Sequence, residues 1–137
     1  MNGGSSLLVV EDDADLRGLL TDILEEQGYE VRTAPDGVAA LRQLDDRFPQ
    51  LVITDLEMPA LDGQALIYRM FVENLGRENV PVILMSASAR LKQVAEAAGT
   101  PYILPKPFSV EDLAEVIDRA LHEAIPPRPL GFTSTHS

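Results

Sequence analysis

Glu11 and Asp12 follow the apolar run Leu7-Leu8-Val9-Val10, and Asp55 ends the run Leu51-Val52-Ile53-Thr54-Asp55. Ser86 ends Val80-Pro81-Val82-Ile83-Leu84-Met85-Ser86, and Lys106 follows Tyr102-Ile103-Leu104-Pro105. Each of these polar residues stands where a short buried strand would empty into a loop. If the strands are parallel, their C-terminal ends lie together and all five side chains meet in the crevice where open α/β sheets bind ligands. Three carboxylates in one crevice repel one another and stay ionised together only if a cation joins them. A hard divalent ion meets that need, and Mg2+ fits best, because it is held by one or two carboxylates, a backbone carbonyl, waters and an arriving phosphate oxygen. The remaining carboxylate can then act as a nucleophile toward phosphorus. The acyl phosphate formed needs its charge neutralised by the metal, by a cation such as Lys106 and by a hydroxyl such as Ser86.

Taken singly, each residue has a plainer reading. Glu11, Asp12 and Asp13 could be the acids that favour a helix N-terminus. Asp55 could cap a loop, Ser86 could bond its own backbone, and Lys106 could be a solvated surface lysine. The occurrence of all of them, in order and at the ends of four different apolar runs, favours the joint reading.

The elements that would position these residues alternate along the chain. Leu7 to Val10 suits a central parallel strand. Leu16, Leu19, Leu20, Ile23 and Leu24 then recur at helical spacing, so Ala14 to Gln27 reads as a helix stopped by Gly28. Tyr29 to Ala34 alternates apolar and polar, which predicts an edge strand. Val38, Leu41, Leu44 and Phe48 mark a second helix ending at Pro49. After the Asp55 strand, Pro59 and Gly63 shape a loop before a helix built on Leu66, Ile67, Met70 and Phe71 and closed by Gly76. Beyond Ser86, Ala87 to Ala98 reads as a weaker helix, because its stripe of Leu91, Val94, Ala95 and Ala98 is mostly small. Ser109 with Glu111 and Asp112 opens a last helix, which Pro126-Pro127-Arg128-Pro129 stops. Five strands alternating with five helices predict a parallel sheet covered on both faces. The expected organisation is a flexible tail over 1–6, one domain over 7–125, and a Pro-rich disordered tail or the start of a linker over 126–137.

The totals narrow the partners. At 137 residues and 45% apolar content the chain suits one closed core, and a net charge of -11 argues against direct nucleic-acid binding. There is no cysteine, which excludes disulfides, thiolate chemistry and Cys-ligated metals, and His122 and His136 do not make a metal cluster. No apolar run approaches the roughly 20 residues that span a bilayer, and the polar start lacks the plan of a signal peptide. A cytoplasmic protein without membrane partners is the default expectation.

Val9-Val10-Glu11-Asp12-Asp13, Asp55-Leu56-Glu57-Met58-Pro59 with Asp62-Gly63, Met85-Ser86-Ala87 and Lys106-Pro107-Phe108 together resemble the receiver domain of two-component response regulators, over about residues 6–124. The resemblance implies a flavodoxin-like (βα)5 three-layer sandwich with strand order 2-1-3-4-5, in agreement with the edge position expected for Tyr29 to Ala34. It implies Asp55 as phosphoacceptor, with Glu11, Asp12, Asp55 and the Glu57 backbone carbonyl serving Mg2+. Ser86 and Ala87 would meet the phosphoryl group, Lys106 would pair with it, and the Lys106-Pro107 bond would be cis. It further implies a histidine kinase or histidine phosphotransfer protein as donor. The output would be a downstream protein target or a homodimer, engaged through the face of the fourth helix, fifth strand and fifth helix. The family's aromatic switch position falls on Ile103, with the aromatic one residue earlier at Tyr102. Neighbours on a strand point to opposite faces, so the expectation is Ile103 at the switch position, the alternative being a strand shifted by one residue that puts Tyr102 there. No output domain is read after residue 126, so the expectation is a stand-alone receiver or a piece of a longer regulator. Two other functions fit some of the residues: a phosphorylation-independent receiver-like binding module, and a Mg2+-dependent aspartyl-nucleophile phosphatase with Glu57 as second acid. The second would lack a cap domain to enclose its substrate.

Overall fold

The computed structural model describes residues 4–74 and 80–130. Gly76, His136 and the outer parts of both expected tails, 1–3 and 131–137, lie outside them. Five strands are built from the apolar runs: β1 Ser6–Val10, β2 Glu30–Ala34, β3 Leu51–Asp55, β4 Val82–Ser86 and β5 Tyr102–Pro105. They alternate with α1 Ala14–Glu26, α2 Gly37–Asp46, α3 Gly63–Asn74, α4 Leu91–Ala98 and α5 Val110–Glu123. All four strand pairings are parallel and the order is β2-β1-β3-β4-β5, which is the flavodoxin-like arrangement. The alternating strand with polar positions, β2, is indeed an edge.

Strand alternation divides the apolar side chains between two cores. Leu8, Val10, Val52, Val82 and Leu84 face α2, α3 and α4, where Leu44, Leu66, Ile67, Leu91 and Ala95 cover them. Leu7, Val9, Leu51, Ile53, Ile83 and Met85 face α1 and α5, against Leu20, Leu24, Leu113 and Ile117. Both faces of every central strand are therefore dry, which is why these runs read as continuous apolar segments.

Local chemistry sets the helix ends. Asp13 caps α1, its Oδ1 accepting from the Asp15 and Leu16 amides at 2.9 and 3.2 Å. Gly28, at φ 97°, provides the left-handed turn after α1. Ser109 and Asp112 form a capping box on α5.

Three details differ from the sequence expectation. The fourth helix starts at Leu91 rather than Ala87. Ser86 Oγ accepts from the Ser88 amide at 2.9 Å and Ser88 Oγ from the Arg90 amide at 3.0 Å, so side chains take donors that a longer helix would have used. In α2 the buried face is Gly37, Ala40 and Leu44, leaving Val38 exposed, and in α1 Leu19 lies outside the core at 55% exposure. Finally, residues 126–130, expected to begin a disordered tail or linker, pack back on the end of α4. The Arg128 amide donates to Gly99 O at 3.1 Å and the Leu130 amide to Ala97 O at 2.9 Å, with Pro127 and Pro129 buried.

Gly99, at φ 76°, caps α4, and a Cβ there would overlap the Arg128 backbone. Gly99→Ala is expected to cost about 1–2 kcal/mol from the left-handed backbone alone and to release the segment after α5. Urea unfolding and amide exchange at Arg128 and Leu130 check both parts. An unchanged midpoint with unchanged protection would show that this contact is not made.

Candidate functional site

The register carries the polar residues to one end of the sheet. Val10 pairs with Thr54, Asp55 with Met85, and Ser86 with Pro105, so the C-terminal ends of β1, β3, β4 and β5 are level. The ladder continues past β5, with the Lys106 amide donating to Ser86 O at 2.8 Å. The Lys106-Pro107 peptide bond is cis.

Glu11, Asp12 and Asp55 offer carboxylate oxygens that lie within 4.8 Å of one another. Glu11 is 1% exposed and Asp55 5%, whereas Asp12 is open to solvent at the rim. Glu11 is held on both oxygens: Oε2 accepts from the Asp13 amide at 3.0 Å and Oε1 from Lys106 Nζ at 3.2 Å. Arg17 Nη1 steadies the same turn by donating to Glu11 O at 2.8 Å. The acidic run thus splits its work. Asp13 performs the helix capping that a plainer reading gives to all three acids, and Glu11 and Asp12 face the crevice.

Lys106 Nζ also stands 3.3 Å from Asp55 Oδ1. That oxygen nonetheless lacks a hydrogen bond, one of two such buried side-chain polar atoms among the described residues. Burial, with Glu11 and then Glu57 nearby, pushes the Asp55 carboxyl up to about 6 against the opposing pull of Lys106. Burial tends to lower Lys106, but Asp55 and Glu11 outweigh it and its pKa is raised. The site therefore holds more negative charge than its one ammonium offsets. A buried oxygen whose one close partner is the shared Lys106 ammonium, beside two further carboxylates, belongs to a donor set suited to a hard divalent cation.

Ser86 closes β4 at 1% exposure, but its hydroxyl points across to the Glu57 side chain, donating to Oε1 at 2.7 Å and Oε2 at 2.8 Å. Sequence reasoning assigns Glu57 a role through its backbone carbonyl, or as the second acid of a phosphatase, and neither reading pairs its side chain with Ser86. The side-chain bond spans 29 residues and has no local pattern to reveal it. Gly63 reads in the sequence as a loop signal and as part of the Asp62-Gly63 motif, and a Cβ there would meet Asp55 O at 2.5 Å, so its missing side chain is what lets α3 start against the backbone of Asp55. Ala87 is exposed and lines an apolar cavity of about 480 Å³ with Lys106, Phe108, Leu16 and Leu19.

Tyr102 and Ile103 part company as strand neighbours must. Ile103 packs into the core under α4. Tyr102 is fully buried in the opposite core, its hydroxyl donating to Glu123 Oε1 at 3.0 Å and accepting from the Ile125 amide at 3.3 Å, with Arg119 5.1 Å above its ring. No one-residue shift brings the aromatic ring to the α4 side.

A family model described as the response regulator receiver domain matches residues 7–118. The DNA-binding transcriptional regulator NtrC of Azospirillum brasilense is 37% identical over 128 residues, covering 92% of this chain and 26% of that protein. Sporulation initiation phosphotransferase F of Bacillus subtilis is 30% identical over 117 residues, covering 84% of this chain and 92% of its own. The chain thus spans about a quarter of the first relative and nearly all of the second. Among solved structures, a response regulator receiver domain protein from Clostridium thermocellum superposes with a TM-score of 0.78 at 26% identity, covering 87% of this chain and 95% of that one. The response regulator TrrA of Thermotoga maritima, solved in complex with Mg2+-BeF, gives a TM-score of 0.75 at 28% identity, with 84% and 97% covered.

Proposed function

The chain belongs to the response regulator receiver domain family, and from that premise we propose that it is a phosphorylation-dependent switch that accepts a phosphoryl group on Asp55. The observation that carries this reading is Asp55 Oδ1, buried, without a hydrogen bond, 3.3 Å from Lys106 Nζ and beside two more carboxylates. In the proposed step an Asp55 oxygen attacks the phosphorus of a phosphohistidine on a histidine kinase or phosphotransfer protein. The new O–P bond forms as the P–N bond breaks, and the leaving imidazole keeps the electron pair and takes a proton from solvent. Glu11, Asp12, Asp55 and the Glu57 carbonyl would hold Mg2+, which when bound neutralises charge on the transferring group. Lys106 supplies the fixed positive charge on the other side, already oriented by Glu11.

A phosphoryl group adds charge and acceptor oxygens that draw on Ser86 and the start of the loop at Ala87, and the two-state element they bias is α4 with Ile103 beneath it. Ile103 offers a β-branched side chain at that position, so the response would be a repacking of α4 rather than the rotation of a ring. The proposed output is a downstream protein or a second copy of the chain, bound on the face of α4, β5 and α5. Signalling rather than turnover is the reading in keeping with the family, and a cytoplasmic site of action is part of the proposal. Among the described residues no helix is long and apolar enough to cross a membrane.

Incubation with a small acyl phosphate tests the reading. The expected result is one added phosphoryl mass that requires Mg2+, is lost with a chelator and is cleaved by hydroxylamine, as an acyl phosphate is. Failure to label at any Mg2+ concentration would refute it, and steady hydrolysis of a generic phosphoester would point to a phosphatase instead.

A further inference from the structure

A serine hydroxyl has one proton to give and two lone pairs to receive with. In this protein both capacities of Ser86 are in use before any phosphoryl group arrives. Its proton goes to the Glu57 carboxylate, 2.7 and 2.8 Å away, and it accepts the Ser88 amide at 2.9 Å. The bond to Glu57 is charge-assisted, the stronger kind. Glu57 lies on the loop after β3 and is itself exposed, so its position is set by this bond rather than by packing. The chain of contacts continues into the switch element, because Ser88 O accepts the Leu91 amide at 3.2 Å where α4 begins.

We propose that Glu57 is a positioning residue that holds the Ser86 hydroxyl in a resting place and so opposes phosphorylation of Asp55. The proposal rests on the reading of Asp55 as phosphoacceptor. An anion on Asp55 and the carboxylate of Glu57 compete for one proton. Ser86 can serve the phosphoryl group only by leaving Glu57, and leaving it loosens the turn that starts α4. Glu57 thereby sets how much of the binding energy of the phosphoryl group is spent in releasing the resting state.

The test is a cycle of Glu57→Ala, Ser86→Ala and the double variant in the full chain, with Mg2+ and beryllofluoride as the phosphoryl probe, titrated by amide NMR. Glu57→Ala is expected to tighten probe binding about tenfold, equivalent to about 1.4 kcal/mol. Glu57→Gln, which keeps a neutral acceptor, should tighten it less. In the Ser86→Ala background removal of Glu57 should change nothing, whereas Ser86→Thr, which restores a hydroxyl, should restore the effect. Equal tightening with and without the Ser86 hydroxyl would mean that Glu57 acts by charge alone, and that outcome overturns the proposal, as does unchanged or weaker binding. A second readout needs no probe: the Ser88 amide should exchange faster in Glu57→Ala than in the parent protein, and equal exchange also overturns the proposal. Absence of probe binding by the parent protein would instead count against Asp55 as phosphoacceptor, leaving the Ser88 readout to decide the hold of Glu57 on Ser86.

Discussion

Asp55→Asn is expected to reduce Mg2+-dependent labelling by a small phosphodonor to background while making the metal-free protein more stable at neutral pH. The two effects have one cause. Asp55 sits in a crevice with Glu11 and Asp12, is nearly inaccessible, and has only the ammonium of Lys106, shared with Glu11, close to its Oδ1. A group so placed is poised to take on a new bond and a cation, and is costly to keep ionised without them. Asparagine retains the shape but removes the nucleophilic carboxylate and the repulsion of Glu11. Mass spectrometry measures the first effect and chemical denaturation the second. Retained labelling of the variant would refute the assignment of Asp55. Lower stability of the variant at pH 7 would show that the ion pair with Lys106 outweighs burial and repulsion.

The contribution of Asp55 to the stability of the metal-free protein should also fall as pH rises from about 4 to about 7, opposite in sign to that of most carboxylates. The Asp55 pKa is raised from 3.8 to about 6 in the folded protein, so the native state holds this proton more tightly than the unfolded chain does. The contribution is complete below the unfolded value near 4 and is lost as pH passes through about 6, after which the ionised carboxylate costs about 3 kcal/mol. Mg2+ would reverse this by neutralising the ionised group. Its stabilisation should be small at pH 4.5 and should grow through pH 6, reaching about 2.7 kcal/mol at a hundredfold excess over the dissociation constant. At roughly 4 °C per kcal/mol for a domain of this size, that is a rise of about 10 °C in the unfolding midpoint on adding Mg2+ and an equal fall on adding a chelator. Calorimetry of the parent protein and Asp55→Asn across this range isolates the one group. Equal Mg2+ effects at pH 4.5 and 7.5, or an undiminished effect in Asp55→Asn, would mean that the cation binds elsewhere.

The segment after α5 gives the α4 face a feature of its own. Residues 126–130 join the C-terminal end of α4 through two backbone hydrogen bonds, while the Tyr102 hydroxyl takes the Ile125 amide on the way. A partner approaching α4, β5 and α5 would meet this segment at one edge of the face, and a shift of α4 would pull on it. The buried faces of Pro127 and Pro129 explain why a composition that signals a linker here follows a defined path.

What the sequence determined by itself was whatever repeats at short range or ends a local element. Continuous apolar runs specify the central strands, alternation specifies the edge strand β2, and helical spacing specifies the five helices. Their order along the chain then demands a parallel sheet with its polar strand ends together. Asp55, Glu11, Asp12, Ser86 and Lys106 are legible because each ends such a run, and the direction of a parallel strand decides which end of the sheet it joins. The tertiary structure decided how those residues share their partners. Asp13 caps α1 while Glu11 is buried against Lys106, Ser86 turns to a glutamate 29 residues away, Ile103 rather than Tyr102 lies under α4, and Gly63 is required by the approach of α3 to Asp55. The reason is physical. Periodicity is a property of one element and its water-facing side, whereas the partner of a buried polar atom depends on where other loops bring their donors and acceptors, and that is set only when the whole sheet is packed.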